Sequence, residues 1–257
     1  MLVSIVIPSY NQAGFLEASL RSVLEQDYPE IEVLLVDGGS TDGSLEIIRK
    51  YADRLAWWVS EKDGGHADAL NKGFAHARGE IFAWLNSDDT YYPGAVSEAV
   101  AYLQAHPEVG MVYADADLTD KDGRIIGRFA SRPTDYRRLL RGSVHIPQAT
   151  TFYRAEVWRR LGPLSLELFF SFDYDMWVRF AKVSRLQYLP RRWATFRLHD
   201  EGKSVRNDDL CYPDMLKVHE RETGHRLSLL WLRAQVRRLT YAWLPLRLRL
   251  TLRRLLP

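Results

Sequence analysis

Short apolar segments alternate with amphipathic helical segments over the first 115 residues, and no other feature of this sequence restricts the fold as much. Strands that alternate with helices predict βαβ units and a parallel sheet. Because the strands are apolar almost throughout, helices should cover both faces of the sheet. The predicted strands are Leu2–Pro8, Ile31–Val36, Leu55–Val59, Ile81–Leu85 and Val109–Tyr113. The helices between them are predicted near 14–25, 41–51, 66–77 and 93–105.

This alternation ends near residue 116, and the pattern that follows is irregular. Further strands are predicted near 124–129, 149–153 and 193–198, and further helices near 154–161 and 173–184. We therefore divide the chain into a first half over 1–115, a second half of the same domain over 116–204, and a C-terminal extension over 205–257. The predicted fold class is α/β, with a doubly wound, mainly parallel sheet and helices on both faces.

The composition is that of a globular protein. Of the 257 residues, 46% are hydrophobic and 26% are charged, which excludes an extensively disordered or collagen-like chain. A single cysteine excludes an internal disulfide and a cysteine-rich zinc site. The scarcity of cysteine favours a reducing, cytoplasmic location.

Polar residues follow each of the first four predicted strands. Parallel α/β sheets bind ligands at the carboxyl ends of their strands, where these residues would meet. Turn chemistry alone favours Asp, Gly, Ser and Asn and could explain any one of the segments, but it explains four in succession poorly. The four segments are Pro8–Asn11, Asp37–Gly43, Asp63–Asp68 and Asn86–Asp89.

The glycines of this edge do not form a known phosphate-binding motif. The spacing of Gly38 and Gly43 resembles a phosphate loop, but Ser44 occupies the position of the Walker lysine, and no G-x-G-x-x-G is present. A carboxylate-rich edge can approach a diphosphate when it holds a divalent metal ion. Mg²⁺ or Mn²⁺ on one or two carboxylates, together with substrate phosphates, is the usual arrangement.

Seven segments in fixed order resemble glycosyltransferase family 2, which has the GT-A fold and inverts configuration at the transferred sugar. The resemblance extends over about residues 3–204 and leaves 205–257 uncovered. Each segment is weakly specific alone, whereas the order and spacing are highly specific. The segments are VSIVIPSYN, VDGGSTDGS, DGGHADALNKG, LNSDD, PQATTFYR, FDYDMWVRFA and FRLHDEGKS.

The resemblance implies a role for individual residues. The nucleotide and donor sugar would contact Pro8, Ser9, Tyr10, Asp37, Asp63, Gly65, Asp68 and Asp88, with Asp37 at the base of the nucleotide. Asp89 would be the main metal ligand, and His199 would reach the metal or the diphosphate. Asp173 would be the catalytic base. Gln148 could contact acceptor hydroxyls, and a plain loop role is equally compatible with its sequence context.

Helical geometry separately favours Asp173 over Asp175 as the base. At about 100° per residue, Asp173 falls on the face formed by Met176, Trp177, Phe180 and Val183. Asp175 falls on the opposite face, where it would form an ordinary solvated i,i+4 pair with Arg179. A carboxylate on an apolar face is costly unless it is paired or functional, and burial would raise its pKa toward the range of a general base. The alternative is that Asp173 only caps the helix.

These observations predict an enzyme. It would be a metal-dependent, inverting glycosyltransferase that uses Mn²⁺ or Mg²⁺ and moves a sugar from a nucleotide-diphosphate donor, with a UDP-sugar favoured. The acceptor would be a saccharide or lipid-linked hydroxyl in the synthesis of cell-surface polysaccharide or glycolipid. The alternatives are a sugar-nucleotidyltransferase-like protein and a non-catalytic nucleotide-sugar-binding protein on the same fold. No nucleic-acid partner is predicted.

The C-terminal extension is strongly basic. Residues 226–257 hold eight arginines and no acidic residue, which leaves a net charge of −6 on 1–225. One interpretation is a helix packed on the body; the other is an interfacial anchor on an anionic membrane. Apolar residues repeat at helical spacing at Leu232, Val236, Leu239 and Trp243, and the residues alternate as in a strand from Leu246 to Arg253.

The sequence contains no apolar stretch of the roughly 20 residues that a transmembrane helix needs. Met1–Leu16 is the longest uncharged stretch, and no basic region precedes it, so a signal peptide is not predicted. The expected location is cytoplasmic, with the basic extension allowing peripheral contact with the inner face of the membrane.

Overall fold

The computed structural model describes residues 1–142, 144–200, 202 and 210–241, with side chains to residue 238. Within these residues a nine-stranded sheet carries helices on both faces. The strands are β1 Val3–Ser9, β2 Ile31–Asp37, β3 Trp57–Ser60, β4 Ile81–Trp84, β5 Thr90–Tyr91, β6 Val109–Thr119, β7 Ile125–Phe129, β8 Phe152–Arg154 and β9 Arg185–Arg197. The α-helices are α1 Ala13–Leu24, α2 Ser44–Tyr51, α3 His66–His76, α4 Ala95–Ala105, α5 Tyr136–Leu140, α6 Ala155–Leu161, α7 Phe172–Val183, α8 Cys211–Thr223 and α9 Leu229–Tyr241.

The strand order is β3-β2-β1-β4-β8-β6-β9-β5, and β7 pairs with β6 at the side. The pairs among β1, β2, β3 and β4 are parallel, as predicted for the first half of the chain. The short strand β8 is antiparallel to both of its neighbours, β4 and β6. The predicted α/β class with covered faces is confirmed, and the fifth predicted strand is separated from the fourth by β8.

Alternate residues of the central strands supply two hydrophobic cores, one on each face of the sheet. In β1, Val6 belongs to one core, while Ile5 and Ile7 belong to the other. Successive side chains of a strand point to opposite faces, so this division follows from strand geometry. The Val6 core packs under α3, α6, α7 and α8, and the Ile5 core packs under α1, α2 and α4.

The sequence predicts that Ser40 or Thr41 caps the second helix, but this is wrong: the helix begins at Ser44, and Gly43 is its N-cap residue. Gly43 precedes it with a left-handed φ of 99°, a conformation that glycine adopts without steric cost. Asp42 accepts hydrogen bonds from the Ser44 amide at 3.1 Å and from its hydroxyl at 2.7 Å. The polar residues before Ser44 therefore form a structured loop rather than a first helical turn.

The amphipathic interpretation of helix α7 is only partly correct. Met176, Trp177 and Phe180 are buried as predicted, whereas Val183 is 37% exposed. The prediction that Asp175 lies on a solvated face is wrong, because this residue is only 1% exposed. Helix α8 packs on the side of α7 that the sequence assigned to solvent, and its Arg221 lies 2.6 Å from Asp175.

Helix α9 confirms the helical spacing predicted at the start of the basic extension. It contacts the body through Leu230, which is fully buried, and Ala234, which is 9% exposed. Leu229, Leu232 and Val236 are about half exposed along another face. The parts of that prediction that concern the side chain of Leu239, Trp243 and the 246–253 segment lie outside the described residues. None of the described helices combines the length and apolar character needed to cross a bilayer.

Candidate active site

The ends of the first three strands meet at one edge of the sheet, as predicted. In the strand register Ser9 lies beside Asp37, and Asp37 lies beside Ser60. The loops that follow approach each other closely. A Cβ atom on Gly38 would lie 3.0 Å from the Asp63 carboxylate and 3.2 Å from the Tyr10 ring. Glycine at position 38 therefore permits the close packing of these three loops.

A cavity of about 510 Å³ opens at this edge. Its volume is in the range typical of sites for small ligands and cofactors. It brings together residues from both halves of the domain, which are far apart in the sequence. The predicted site residues that line it are Pro8, Ser9, Tyr10, Asp63, Gly65, Asp88, Asp89, Gln148 and Asp173.

Two carboxylates that are adjacent in the sequence, Asp88 and Asp89, line the cavity. Asp89 is 1% exposed and accepts hydrogen bonds from the Arg197 amide at 2.9 Å and the Asn86 side chain at 3.3 Å. Burial, followed by repulsion from Asp88, raises the pKa of Asp89 well above its ordinary range, although these two donors oppose the shift. A cation at this position would relieve the cost of ionising Asp89.

The donor chemistry of this pair is compatible with a divalent cation. Carboxylate oxygens are ligands that Mg²⁺ and Mn²⁺ prefer, and Mg²⁺ is usually held by one or two carboxylates plus substrate phosphates. Among the residues that the structure describes, no group of three or more His, Cys, Asp or Glu side chains is arranged to hold a metal ion. The further oxygen ligands of a cation held by this pair would be water or the oxygens of a bound phosphate.

His199 does not line the cavity, but it contacts a residue that does. Its Nε2 lies 3.0 Å from Oδ2 of Asp88, and its side chain is 5% exposed. Its ring packs 4.7 Å from the ring of Phe15 on α1. In this conformation His199 supports Asp88, and its predicted role at the metal or diphosphate stays a prediction.

Two of the predicted donor-binding carboxylates are turned into their own loops. Asp37 is fully buried and accepts hydrogen bonds from the amides of Gly39 and Ser40 and from the hydroxyls of Ser40 and Ser60. Asp68 accepts a hydrogen bond from the Gly64 amide at 2.8 Å. Neither carboxylate is among the cavity-lining groups, and their contacts with a nucleotide stay predictions.

Asp173 lies in the first turn of α7 and is partly buried at the cavity. Ser171 occupies the N-cap position, so Asp173 is not the cap residue itself. Its Oδ1 accepts a hydrogen bond at 2.7 Å from the amide of the next residue, Tyr174. Asp173 thus lies at the cavity, and its role as the catalytic base stays a prediction.

Gln148 is 7% exposed and lies in a short 3₁₀ turn before β8. Its Nε2 donates a hydrogen bond to the carbonyl oxygen of Trp84 at 2.8 Å, which fixes the orientation of the amide. The other amide atom, Oε1, is buried without a hydrogen-bond partner in the described structure. Gln148 is therefore tied to the strand that precedes the Asp88–Asp89 pair.

Arg197 is a cavity residue that the sequence analysis did not single out. Its backbone amide donates a hydrogen bond to Asp89, and its Nε donates one to the carbonyl oxygen of Asp88 at 2.8 Å. Its guanidinium group lies 4.9 Å from the centre of the Phe15 ring. Its place two residues before His199, within a family-like segment, was the available signal. Three aromatic residues around α7 also line the cavity: Phe169, Phe170 and Phe172.

Comparison with curated proteins gives relatives of the same kind. An uncharacterized glycosyltransferase of Rickettsia typhi is 30% identical over 208 residues, which cover 77% of this chain and 64% of that protein. The chondroitin synthase of Pasteurella multocida is 28% identical over 210 residues, covering 81% of this chain and 22% of the synthase. The chain thus spans less than two thirds of the length of either relative.

Solved structures with the same fold include two nucleotide-sugar complexes. S. aureus TarS 1-349 in complex with UDP-GlcNAc superposes with a TM-score of 0.69 at 18% identity, covering 94% of this chain and 73% of that one. The mannosyltransferase PcManGT from Pyrobaculum calidifontis, in complex with GDP-Man and Mn²⁺, gives a TM-score of 0.66 at 23% identity. The match covers 90% of this chain and 68% of the mannosyltransferase chain. At these identities the likeness establishes the fold.

Family membership follows from the sequence match. The profile of Glycosyl transferase family 2 matches residues 4–162, which is more than half of the chain. The matched range includes β1 to β4 and the Asp88–Asp89 pair at the cavity. On this evidence, and with a fold shared by solved glycosyltransferases, the chain belongs to glycosyltransferase family 2.

Proposed function

We propose that this chain is an inverting glycosyltransferase that moves a sugar from a nucleotide-diphosphate donor to an acceptor hydroxyl. The observation that carries the proposal is that Asp88, Asp89 and Asp173 line one cavity at the carboxyl edge of the sheet. The reaction needs a site for a metal–diphosphate complex and a base. The Asp88–Asp89 pair is suited to the first role, and Asp173 is suited to the second.

The donor would bind with its nucleotide beside Tyr10, Asp63 and Gly65 and its diphosphate toward Asp88 and Asp89. Asp89 would be the main ligand of a divalent cation, with Asp88 beside it. His199 would reach the cation or the diphosphate. The chemistry that Mn²⁺ or Mg²⁺ supplies at such a position is neutralisation of the charge that develops on the diphosphate leaving group. Lys62, which also lines the cavity, adds a cationic side chain of the protein on the nucleotide side.

Asp173 would accept the proton of the acceptor hydroxyl. The freed oxygen then forms a bond to the anomeric carbon from the face opposite the diphosphate, and the bond from that carbon to the diphosphate oxygen breaks. One in-line displacement of this kind inverts the configuration at the anomeric carbon. The proton remains on Asp173 until solvent removes it, so the nucleoside diphosphate leaves as an anion.

A UDP-sugar is the favoured donor, and a saccharide or lipid-linked hydroxyl in cell-surface polysaccharide or glycolipid synthesis is the favoured acceptor. TarS supports a uridine donor, since it has the same fold and is solved with UDP-GlcNAc. The mannosyltransferase solved with GDP-Man and Mn²⁺ makes GDP-sugars the first alternative to test. The chondroitin synthase relative supports polysaccharide synthesis.

The lipid-linked acceptor is connected with the proposed membrane contact of helix α9. Leu229, Leu232 and Val236 leave an exposed apolar row on this helix, and the surrounding 226–257 segment carries eight arginines without an acid. Apolar and cationic side chains together favour the headgroup layer of an anionic membrane.

A donor-hydrolysis assay tests the proposal. Purified chain is incubated with UDP-GlcNAc, other UDP-sugars and GDP-mannose, with and without Mn²⁺, and released nucleoside diphosphate is measured. We expect metal-dependent release from at least one donor. A sugar-nucleotidyltransferase would instead release pyrophosphate from a nucleoside triphosphate and a sugar 1-phosphate. A binding protein would be stabilised thermally by the donor without releasing product.

Asp89→Asn provides the sharpest variant for this assay. The substitution removes the buried charge that the cation needs, so we expect loss of product release and of the Mn²⁺-dependent part of UDP affinity. Because ionised Asp89 is costly in the absence of a cation, the variant should unfold at the same or a higher urea concentration than the wild type. Asp53→Asn, on an exposed turn outside the cavity, is the control. Unchanged Mn²⁺-dependent UDP binding by Asp89→Asn would contradict the proposal.

A further inference from the structure

Helix α8 lies outside the range matched by the family profile, yet it contacts the segment that carries Asp173. The contact is made by a buried carboxylate. Asp214, in the first turn of α8, is 4% exposed. Burying a carboxylate is costly unless hydrogen bonds and opposite charges compensate it. The partners of Asp214 therefore indicate which part of the structure it stabilises.

The partners of Asp214 are backbone amides at the start of α7. Its Oδ2 accepts hydrogen bonds from the amides of Phe170 at 2.7 Å and Ser171 at 3.3 Å. Ser171 is the N-cap residue of α7, and its own side chain does not cap the helix; its hydroxyl donates instead to the carbonyl oxygen of Cys211 on α8. Asp214 thus supplies, from another helix, a negative charge at the positive end of α7.

A second contact joins the same two helices one turn further on. Asp175 lies 3.0 Å from Nε of Arg179 on its own helix and 2.6 Å from Nη2 of Arg221 on α8. Arg221 also pairs with Glu222 at 2.9 Å. Helix α8 therefore contacts the α7 segment at two points, the Phe170–Ser171 amides and Asp175, which lie on either side of Asp173 in the sequence.

The segment held in this way forms one wall of the cavity. Phe169, Phe170, Phe172 and Asp173 all line it, and the Phe170 amide donates the shorter of the two hydrogen bonds to Asp214. A displacement of the Phe170–Ser171 backbone would shift the first turn of α7, and with it the carboxylate of Asp173. Errors of about 1 Å in the position of a reacting group can lower a rate by roughly 10²-fold.

We propose that Asp214 is a positioning residue of the transferase: through the amides of Phe170 and Ser171 it fixes the position of Asp173 relative to a bound acceptor. This inference rests on the proposed function, because it takes Asp173 as the base. Asp214 itself does not line the cavity and acts only through the α7 backbone.

Three variants test the inference in the full chain. Asp214→Ala removes the acceptor of both amides. Asp214→Asn keeps an acceptor oxygen of similar size and loses the charge. Lys217→Ala is the matched control, because its exposed ammonium group contacts the other oxygen of the same carboxylate, at 3.1 Å, and not the oxygen that accepts from the two amides. Calorimetric titration with UDP and Mn²⁺ counts the folded sites of each variant, and kcat for the best sugar nucleotide found with the wild type is expressed per titrated site.

We expect Asp214→Ala to lower kcat per UDP site by roughly 10-fold or more, with UDP affinity within about twofold of the wild type. Asp214→Asn should recover part of that loss, and Lys217→Ala should match the wild type. A purely structural role would reduce the number of sites and leave kcat per site unchanged; that result would overturn the inference. If Asp214→Ala does not fold, Asp214→Asn decides alone, and wild-type kcat per site in that variant would overturn it.

The same assay separates this inference from the proposed function. Asp173→Asn is measured alongside. If Asp173→Asn loses activity and Asp214→Ala does not, only the positioning role fails. If the wild type turns over no sugar nucleotide, or if Asp173→Asn keeps full activity, the proposed function fails, and the positioning role with it.

Discussion

His199 and Asp88 are joined by a hydrogen bond of 3.0 Å between Nε2 and Oδ2. The two residues come from β4 and β9 regions that are more than 100 positions apart in the chain, and the family resemblance implies separate roles for them. Because His199 does not line the cavity, its imidazole orients the Asp88 carboxylate from outside the cavity. Supporting residues of this kind commonly change metal affinity by about 10- to 100-fold when they are removed.

His199→Ala should therefore raise the Mn²⁺ concentration needed for half-maximal UDP binding by about 10-fold. His199→Gln should have a smaller effect, because its amide can still donate to Asp88. The measurement is UDP titration at a series of Mn²⁺ concentrations. His106→Ala, which affects an exposed histidine beside Glu108, is the control. Equal losses in the Gln and Ala variants would indicate that His199 contacts the metal or diphosphate itself.

Asp173→Asn should keep the fold and UDP affinity and lower kcat by roughly 10²- to 10⁴-fold, the usual contribution of a positioned proton acceptor. Asparagine can still accept the hydrogen bond from the Tyr174 amide, so a loss of activity cannot be assigned to that local contact. Initial rates at saturating donor and acceptor are compared with those of Asp53→Asn. A near-native kcat would exclude Asp173 as the base.

Asp175→Asn should destabilise the protein, in contrast to what a solvated i,i+4 pair would predict. Removing one member of a fully buried ion pair typically costs about 3–5 kcal/mol. We expect a smaller loss here, because Arg221 is 46% exposed and keeps its pair with Glu222. Here Arg179 and Arg221 would both lose the carboxylate. Urea unfolding measures the change. A loss below about 0.5 kcal/mol would mean that the pair behaves as an exposed one.

A double-mutant cycle would attribute this loss to the contact between the helices. Combining Asp175→Asn with Arg221→Met removes both members of the pair, and methionine keeps much of the apolar stem. We expect the double variant to be more stable than the sum of the two single losses predicts. If the losses in free energy of unfolding are additive, Asp175 stabilises the protein through Arg179 and not through Arg221.

Glu32 gives the fold a pH dependence that is separate from the active site. Its side chain is 5% exposed and accepts hydrogen bonds from Ser4 and from the amide and guanidinium of Arg78. Burial raises the pKa of Glu32, but these donors outweigh it, and the net pKa lies below the ordinary 4.5. The unfolded chain therefore binds more protons in acid, and this stabilisation is present above pH 4.5 and is lost as the pH falls through the folded pKa.

Glu32→Gln should lower the free energy of unfolding by about 1.5–3 kcal/mol at neutral pH, the usual contribution of hydrogen bonds to a charged group. The difference from the wild type should shrink as the pH falls below 4.5. Urea unfolding across a pH series measures it, with Glu25→Gln as an exposed control. A difference that is constant with pH would show that ionisation of Glu32 does not contribute.

We expect the proposed membrane contact of helix α9 to be weakened when Leu232 and Val236 are replaced by serine, with little change in stability, because both side chains are about half exposed. Flotation with vesicles that contain phosphatidylglycerol is compared with flotation on phosphatidylcholine alone. Leu166→Ser, which changes an exposed leucine elsewhere, is the control. Equal flotation of the double variant and the wild type would exclude this helix face as the membrane contact.

Much of the site could be read from the chain. The alternation of apolar strands and helices predicted the parallel pairing of β1 to β4, and this pairing places Ser9, Asp37 and Ser60 side by side. Parallel strands end at the same edge, so the residues that follow them converge whatever the details of the loops. For the same reason Asp88 and Asp89, which follow β4, lie at the predicted edge.

The orientation of individual carboxylates was not readable in this way. Asp37 and Asp68 follow the pattern of the edge, yet each accepts hydrogen bonds from its own loop, because nearby backbone amides compete with a ligand for the same oxygens. Asp175 has the helical position of a solvated residue, but α8 covers it and supplies Arg221. The insertion of β8 between β4 and β6 likewise depends on a pairing across many residues. Periodicity in the sequence indicates the face of a helix or strand on which a side chain lies. The residues that pack against that face come from segments distant in the sequence, so only the tertiary structure decides them.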